Sequence, residues 1–176
     1  MLVLVVGPSG AGKDTLLNAA KDAFSDDPRV HFVRRVITRP ADPDGENHEP
    51  VTEAEFAARD FALSWSAHGL RYGIPSADTA PVVVANVSRG VIATAAEQYP
   101  VRVIEVTASP EILARRLAGR GRETAADVAL RLGRTVVIPG GVAIETVWND
   151  ATLAIGVERF VAALRRVMDA ATQDQN

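Results

Sequence analysis

Leu2-Val3-Leu4-Val5-Val6 runs directly into Gly7-Pro8-Ser9-Gly10-Ala11-Gly12-Lys13-Asp14-Thr15, and the reading of this stretch decides the fold. Five apolar residues without alternation predict a strand buried on both faces. Glycines at the first and sixth loop positions, followed by Lys and a helix-forming segment, supply the strand, turn and helix that a phosphate-binding loop needs. Such a loop turns its backbone N–H groups inward around an anion, and the helix beginning near Lys13 adds its positive end. The Lys13 ammonium then reaches the outer phosphates. Gly7, Pro8, Ser9, Gly10, Ala11, Gly12, Lys13, Asp14 and Thr15 are therefore the expected nucleotide-binding segment, with a nucleoside triphosphate as ligand.

One position departs from the usual pattern. After Lys13, where Ser or Thr commonly offers a hydroxyl to Mg²⁺, stands Asp14, with Thr15 one step later. Two roles are open for Asp14. It holds the metal, directly or through water, or it caps the helix start, where a carboxylate is favoured by the dipole alone.

Composition bounds the rest. The 176 residues, 47% hydrophobic and 23% charged, fit one globular domain with a full core. No apolar run approaches the roughly 20 residues of a membrane span, and Leu2 to Val6 leads into the loop rather than to a cleavage site. A cytoplasmic protein with no membrane partner is expected. The absence of Cys excludes disulfides, thiolate metal sites and cysteine nucleophiles. His31, His48 and His68 are too scattered for a metal signature and read as surface or turn residues. A net charge of −3 gives no general pull toward nucleic acid. The relevant charge is local, in arginines clustered at 34–39, at 89 and at 115–134.

Leu16, Leu17, Ala20 and Phe24 recur at helical spacing after the loop. Val30 to Thr38 reads as a strand or extended segment, and 42–47 is turn chemistry. Thr52 with Glu55 three residues on forms a capping box before a short helix. Phe61 to Ala67 and Leu70 to Ile74 read as strands joined at His68-Gly69, so the middle of the chain is a small mixed insert. Alternation then resumes: a strand at Val82 to Ala85, a helix from Ser88 to Tyr99, a strand at Val101 to Val106 and a helix opened by Ser109-Pro110. A second helical stretch runs from Thr124 to Arg134. Thr146 to Trp148 is the last strand, and Gly156 to Ala171 an amphipathic helix. This βαβα order predicts a parallel sheet with helices on both faces.

Arginines on a hairpin far from a phosphate loop have a plain use. Phosphoryl transfer is catalysed by positioning and by neutralising charge on the transferring group. Arg116, Arg120, Arg122 and Arg131 are candidates for that work. Arg35, Thr38 and Arg39 enter the insert and Tyr72-Gly73 leaves it; two arginines four apart on an extended segment suit a phosphate dianion. A second, phosphorylated small-molecule substrate is implied. Asn86, Ser88 and Arg89 follow a core strand at its carboxyl end, where ligands of open α/β sheets gather. Helix capping by Ser88 and a turn role for Asn86 are equally open.

In order and spacing the chain resembles the guanylate-kinase-like branch of the P-loop nucleoside monophosphate kinases. The shared residues are Gly7 to Lys13, Thr38-Arg39-Pro40, Gly45-Glu46, His68-Gly69 with Tyr72-Gly73, Arg116-Leu117, Arg120-Gly121-Arg122-Glu123, Arg131-Leu132 and Asn149-Asp150. The resemblance implies a P-loop NTPase fold of three layers, α/β/α, with a central parallel sheet, a small mixed acceptor-binding insert and an arginine-rich helical lid. Within one domain, the core is expected at 1–34, 80–115 and 135–176, the insert at about 35–79 and the lid at about 116–134. Guanylate kinases carry a tyrosine after the Gly-Glu turn, a guanine-reading carboxylate before the His-Gly turn and an acidic residue ending the next core strand. Here the first is missing, the second falls on Leu63 in an ungapped placement, and the third is Asn86.

With Asp14, these departures are similar to the ribose 1,5-bisphosphate phosphokinases, a guanylate-kinase-like family of phosphonate catabolism. That similarity implies transfer of the ATP γ-phosphoryl group to the 1-phosphate of ribose 1,5-bisphosphate. It implies Lys13 on the β- and γ-phosphates, Asp14 or Thr15 on Mg²⁺, and Arg35 and Arg39 on the acceptor. Arg89 or Arg35 is a further candidate for the sugar's second phosphate, and Arg120, Arg122 and Arg131 are candidates for the transferring group. A guanylate or other nucleoside monophosphate kinase is the alternative enzyme. A non-catalytic protein-binding module is the other class, which has no use for Lys13, the glycines and the lid arginines together. The sequence leaves the oligomeric state open.

Overall fold

The computed structural model describes residues 1–41, 46–76, 80–118 and 140–173. In chain order the first elements are β1 (Leu2–Val6), α1 (Lys13–Ala23), β2 (Val30–Phe32), β3 (Val36–Ile37) and β4 (Glu49–Pro50). Then come α2 (Glu53–Ala57), β5 (Phe61–Ala67), β6 (Leu70–Pro75) and β7 (Val82–Asn86). A 3₁₀ turn at Arg89–Val91 leads into α3 (Ile92–Gln98), followed by β8 (Val101–Thr107), α4 (Pro110–Ala118), β9 (Ala143–Trp148) and α5 (Leu153–Gln173).

The central sheet runs β2-β7-β1-β8-β9, and every pairing is parallel. β1 sits in the middle because all five of its residues are buried, which only the centre of a two-sided sheet allows. Its side chains alternate between two cores. Val3 and Val5 join Leu16, Leu17, Leu113, Phe160 and Leu164 on the face covered by α1, α4 and α5. Leu2, Leu4 and Val6 join Val91, Ile92, Leu63 and Ile74 on the other face, so α3 and part of a second sheet form that layer. The expected parallel core with helices on both faces is present.

The second sheet runs β4-β3-β6-β5, with β3 and β4 parallel and the β3–β6 and β5–β6 pairs antiparallel. This is the mixed insert. Its helix α2 is opened by the expected box: the Glu55 amide donates to Thr52 Oγ1 at 3.2 Å and the Thr52 amide to Glu55 Oε2 at 2.7 Å.

Three local expectations are corrected. Val30 to Thr38 is not one strand but two, in different sheets. β2 pairs with β7 and the Val33 amide makes the last bond to that sheet, at 2.9 Å to Val84, after which the chain crosses so that Val36 and Ile37 bury in the insert. The helix expected from Ser88 opens as a 3₁₀ turn, and α3 begins at Ile92. His48 is 2% exposed rather than a surface residue: its Nδ1 lies 2.9 Å from the Glu46 carbonyl and its Nε2 3.0 Å from that of Arg39. The second helical stretch at 124–134 and the lid arginines Arg120, Arg122 and Arg131 lie outside the described residues.

Candidate active site

The phosphate loop is fixed from behind by cations and an amide. Lys13 Nζ donates to the carbonyls of Gly7 (2.9 Å) and Pro8 (3.1 Å). Arg116 donates to the carbonyls of Gly10 (3.3 Å) and Asn149 (2.9 Å), and Asn149 Nδ2 to that of Ala11 (2.8 Å). Asn149 is 5% exposed and wedged between two glycines. A Cβ on Gly12, whose φ is 87°, would stand 2.5 Å from Asn149 Nδ2, and one on Gly156 would stand 2.3 Å from Asn149 Oδ1. Arg116, a sequence candidate for the transferring group, is thus engaged by the back of the loop, and Ala11 is turned wholly into the core.

In front of the loop lies a cleft of about 490 Å³. Its wall on the loop side is Gly7 to Gly10 and Gly12 to Thr15; Asn86, Ser88 and Arg89 come from the end of β7, and Arg35, Arg39, Glu46, Trp65 and Tyr72 from the insert. Residues as far apart in the chain as Gly7 and Arg89 therefore share one cavity. Parallel strands place β7's carboxyl end beside the loop after β1, and the insert closes the third side.

Charge in the cleft is paired, but incompletely. Arg35 makes a two-pronged ion pair with Glu46, both largely covered, and its guanidinium lies 5.5 Å from the Tyr72 ring centre. Arg89 donates to Glu105 at 2.6 Å. Arg39 Nη2 lies 3.3 Å from His48 Nδ1. The Nε atoms of Arg39 and Arg89 are buried and have no hydrogen-bond partner among the described residues. Each such orphan costs about 1–3 kcal/mol, a cost that an anionic ligand at this wall can remove. Burial pushes the Lys13 pKa down from 10.5 to about 8; Asp14 pulls against this, and Arg35 and Arg89 add to it. At neutral pH the ammonium is still mostly charged.

Asp14 is exposed in the first turn of α1, and Asn86 Nδ2 donates to its Oδ1 at 2.7 Å. The carboxylate and the residue ending β7, both singled out from sequence, are thus joined. Ser88 precedes the 3₁₀ turn without making a capping bond and lines the cleft. Thr38 is elsewhere: its Oγ1 accepts the Arg71 amide at 2.9 Å and its amide donates to the Arg71 carbonyl at 3.1 Å, so it joins β3 to β6 outside the cavity. Leu63 is also corrected. It is 3% exposed and packed in the core against Ile74 and the central sheet, so it does not line the cleft. From β5 the cleft receives Trp65 and Ala67 instead.

Sequence reasoning missed Trp65, Glu105 and the structural role of Asn149. The Asn149-Asp150 pair at the end of the last strand was visible as a motif; nothing local marked Glu105, which becomes relevant only beside Arg89.

Residues 3–131 match the AAA domain family. The ribose 1,5-bisphosphate phosphokinase PhnN of Acidiphilium cryptum (strain JF-5) is 50% identical over 173 residues, covering 96% of this chain and 94% of that protein. The bifunctional ribose 1,5-bisphosphokinase-thymidine phosphorylase of Cupriavidus pinatubonensis is 50% identical over 183 residues; the match covers 98% of this chain but 30% of that longer protein. Among solved structures, guanylate kinase from Anaplasma phagocytophilum superposes with a TM-score of 0.66 at 16% identity, covering 97% of this chain and 85% of that one, a likeness of fold. With half its residues shared along almost the full length of a curated relative, and the phosphate loop in the cleft described above, the chain belongs to the ribose 1,5-bisphosphate phosphokinase family.

Proposed function

We propose that the chain transfers the γ-phosphoryl group of ATP to the 1-phosphate of ribose 1,5-bisphosphate, giving 5-phosphoribosyl 1-diphosphate and ADP. The observation that carries this reading is a single cleft with two cationic poles, the phosphate loop with Lys13 on one side and Arg35, Arg39 and Arg89 on the other. An acceptor phosphate oxygen attacks the γ-phosphorus, a P–O–P bond forms, and the bond to ADP breaks. The attacking oxygen is already ionised, so no strong general base is required. What the reaction needs is relief of repulsion between two polyanions, which fixed cations supply.

In this reading Lys13 holds the β- and γ-phosphates. Arg39 holds an acceptor phosphate through its unpartnered edge, and Arg35, kept in place by Glu46, adds charge beside it. Arg89 takes the sugar's second phosphate. Arg120, Arg122 and Arg131 neutralise the transferring group. Asp14, oriented by Asn86, and Thr15 offer the hard oxygen donors that Mg²⁺ prefers when it is bound by one or two protein groups plus substrate phosphates. The metal, when bound, withdraws charge from the β- and γ-oxygens.

Coupled ADP production with Mg-ATP tests the assignment, with ribose 1,5-bisphosphate and GMP as parallel acceptors. Turnover of the sugar bisphosphate alone is expected. GMP turnover equal to or faster than that of the sugar bisphosphate overturns the proposal and makes this a nucleotide kinase.

A further inference from the structure

β5 places Leu63, Trp65 and Ala67 on its inward side and exposes Ser64 and Ser66 on the other. Leu63 is sealed beneath in the core, so Trp65 is the bulky side chain that this strand presents to the cleft. Its position is fixed from two directions. It lies directly opposite Tyr72 in the antiparallel β5–β6 register, and the two rings stack with centroids 5.4 Å apart and planes 8° apart. It also packs on the apolar cluster of Leu2, Leu4 and Leu63. With Tyr72 stacked on it and the cluster behind it, the half-buried indole is held as a wall of the cavity.

Space sharpens the point. Ligand sites occupy roughly 300–1,000 Å³ for a single small molecule. The cleft here offers about 490 Å³ for both donor phosphates and acceptor. The cationic side chains around this wall can grip phosphates, whereas among the described residues of the cleft the Glu46 carboxylate is held by Arg35 and the Asn86 amide by Asp14, so neither is turned to a base edge. We infer that Trp65 determines acceptor specificity: braced on Tyr72, it fills the volume that a nucleobase would require and leaves room for a phosphorylated pentose. This rests on the acceptor being ribose 1,5-bisphosphate, and the test below separates the two claims.

Trp65→Ala is compared with wild type for KM and kcat with ribose 1,5-bisphosphate, and for calorimetric binding of GMP, AMP and CMP. The variant should bind at least one nucleoside monophosphate roughly tenfold more tightly than wild type, while KM for the sugar bisphosphate rises by a similar factor and kcat changes less. Wild-type KM together with unchanged nucleotide binding overturns the inference. If Trp65→Ala does not fold, Trp65→Phe, which keeps one ring on Tyr72, carries the same comparison with smaller changes of the same sign, and identity with wild type in both is again the overturning result. A second readout uses fluorescence. The chain has two tryptophans, and the other, Trp148, is 51% exposed at the far edge of the sheet. In Trp148→Phe, ribose 1,5-bisphosphate should shift the emission of Trp65; an unchanged spectrum at saturating acceptor counts against the wall. If wild type does not turn over the sugar bisphosphate, the proposed function fails, yet nucleotide binding gained by Trp65→Ala still decides whether this residue excludes bases.

Discussion

Lys13 shows how a single residue is made useful at the expense of stability. Its ammonium is enclosed by the loop it serves, and burial brings its pKa to about 8. Because the folded pKa lies below the ordinary 10.5, the unfolded chain binds more protons between these values. Stability therefore rises with pH through that window, by an amount of the order of 3 kcal/mol from this group. Lys13→Met should reduce turnover roughly 100-fold or more while leaving Tm equal to or above that of wild type; a Tm well below wild type would make the residue structural. The same pKa predicts that kcat/KM for ATP falls by about tenfold per pH unit above pH 8, as the ammonium is lost. A flat profile to pH 9.5 argues against Lys13 as the phosphate contact. Asp14 gives a third test. If Asn86 aims its carboxylate, Asn86→Leu should raise the Mg²⁺ concentration needed for half-maximal rate and weaken the thermal shift produced by Mg-ATP, while Tm without ligand holds. Both residues were legible in the sequence; their 2.7 Å bond was not, because 72 positions separate them.

Elements in this chain begin and end where local chemistry says they should. The Thr52–Glu55 box satisfies two amides at the start of α2, and that short helix places Phe56 in the insert core, stacked on Phe61 at 4.3 Å. Thr52→Ala should cost about 1 kcal/mol, lowering Tm by roughly 2–4 °C in a chain of this size, with KM for both substrates unchanged. Movement of either KM would mean that the insert is less rigid than its packing suggests. Strand limits proved harder to read. Val30 to Thr38 has the composition of one strand, and it divides because Val30 to Phe32 find a partner in β7 whereas Val36 and Ile37 find theirs in β4 and β6. Strand propensity is a property of a residue; strand partnership is not.

Across the whole molecule, the cleft exists because two sheets meet. Leu63 and Ile74 clamp the insert onto one face of the central sheet, and the cleft is the gap left above that contact. Leu63→Glu tests this arrangement against the alternative in which a carboxylate there reads guanine. The buried charge should destabilise the fold by several kcal/mol, seen as a large fall in Tm, and confer no GMP turnover. A stable variant that phosphorylates GMP would put the residue in the acceptor site after all. Asn149 belongs to the same scale, since its one side chain ties the phosphate loop to the segment that opens α5.

The amino-acid sequence by itself determined the phosphate loop, the parallel core and the candidate cations, because each is written in a local pattern: an apolar run, glycine spacing, a helical period, arginines beside turns. Tertiary structure alone decided which cations are paired, that Thr38 joins strands, that Leu63 is core and that Trp65 stands in the cleft. Those outcomes depend on which residues meet across sheets and crossovers. Spacing along a chain sets which face of an element a side chain takes, but only packing sets what lies opposite that face.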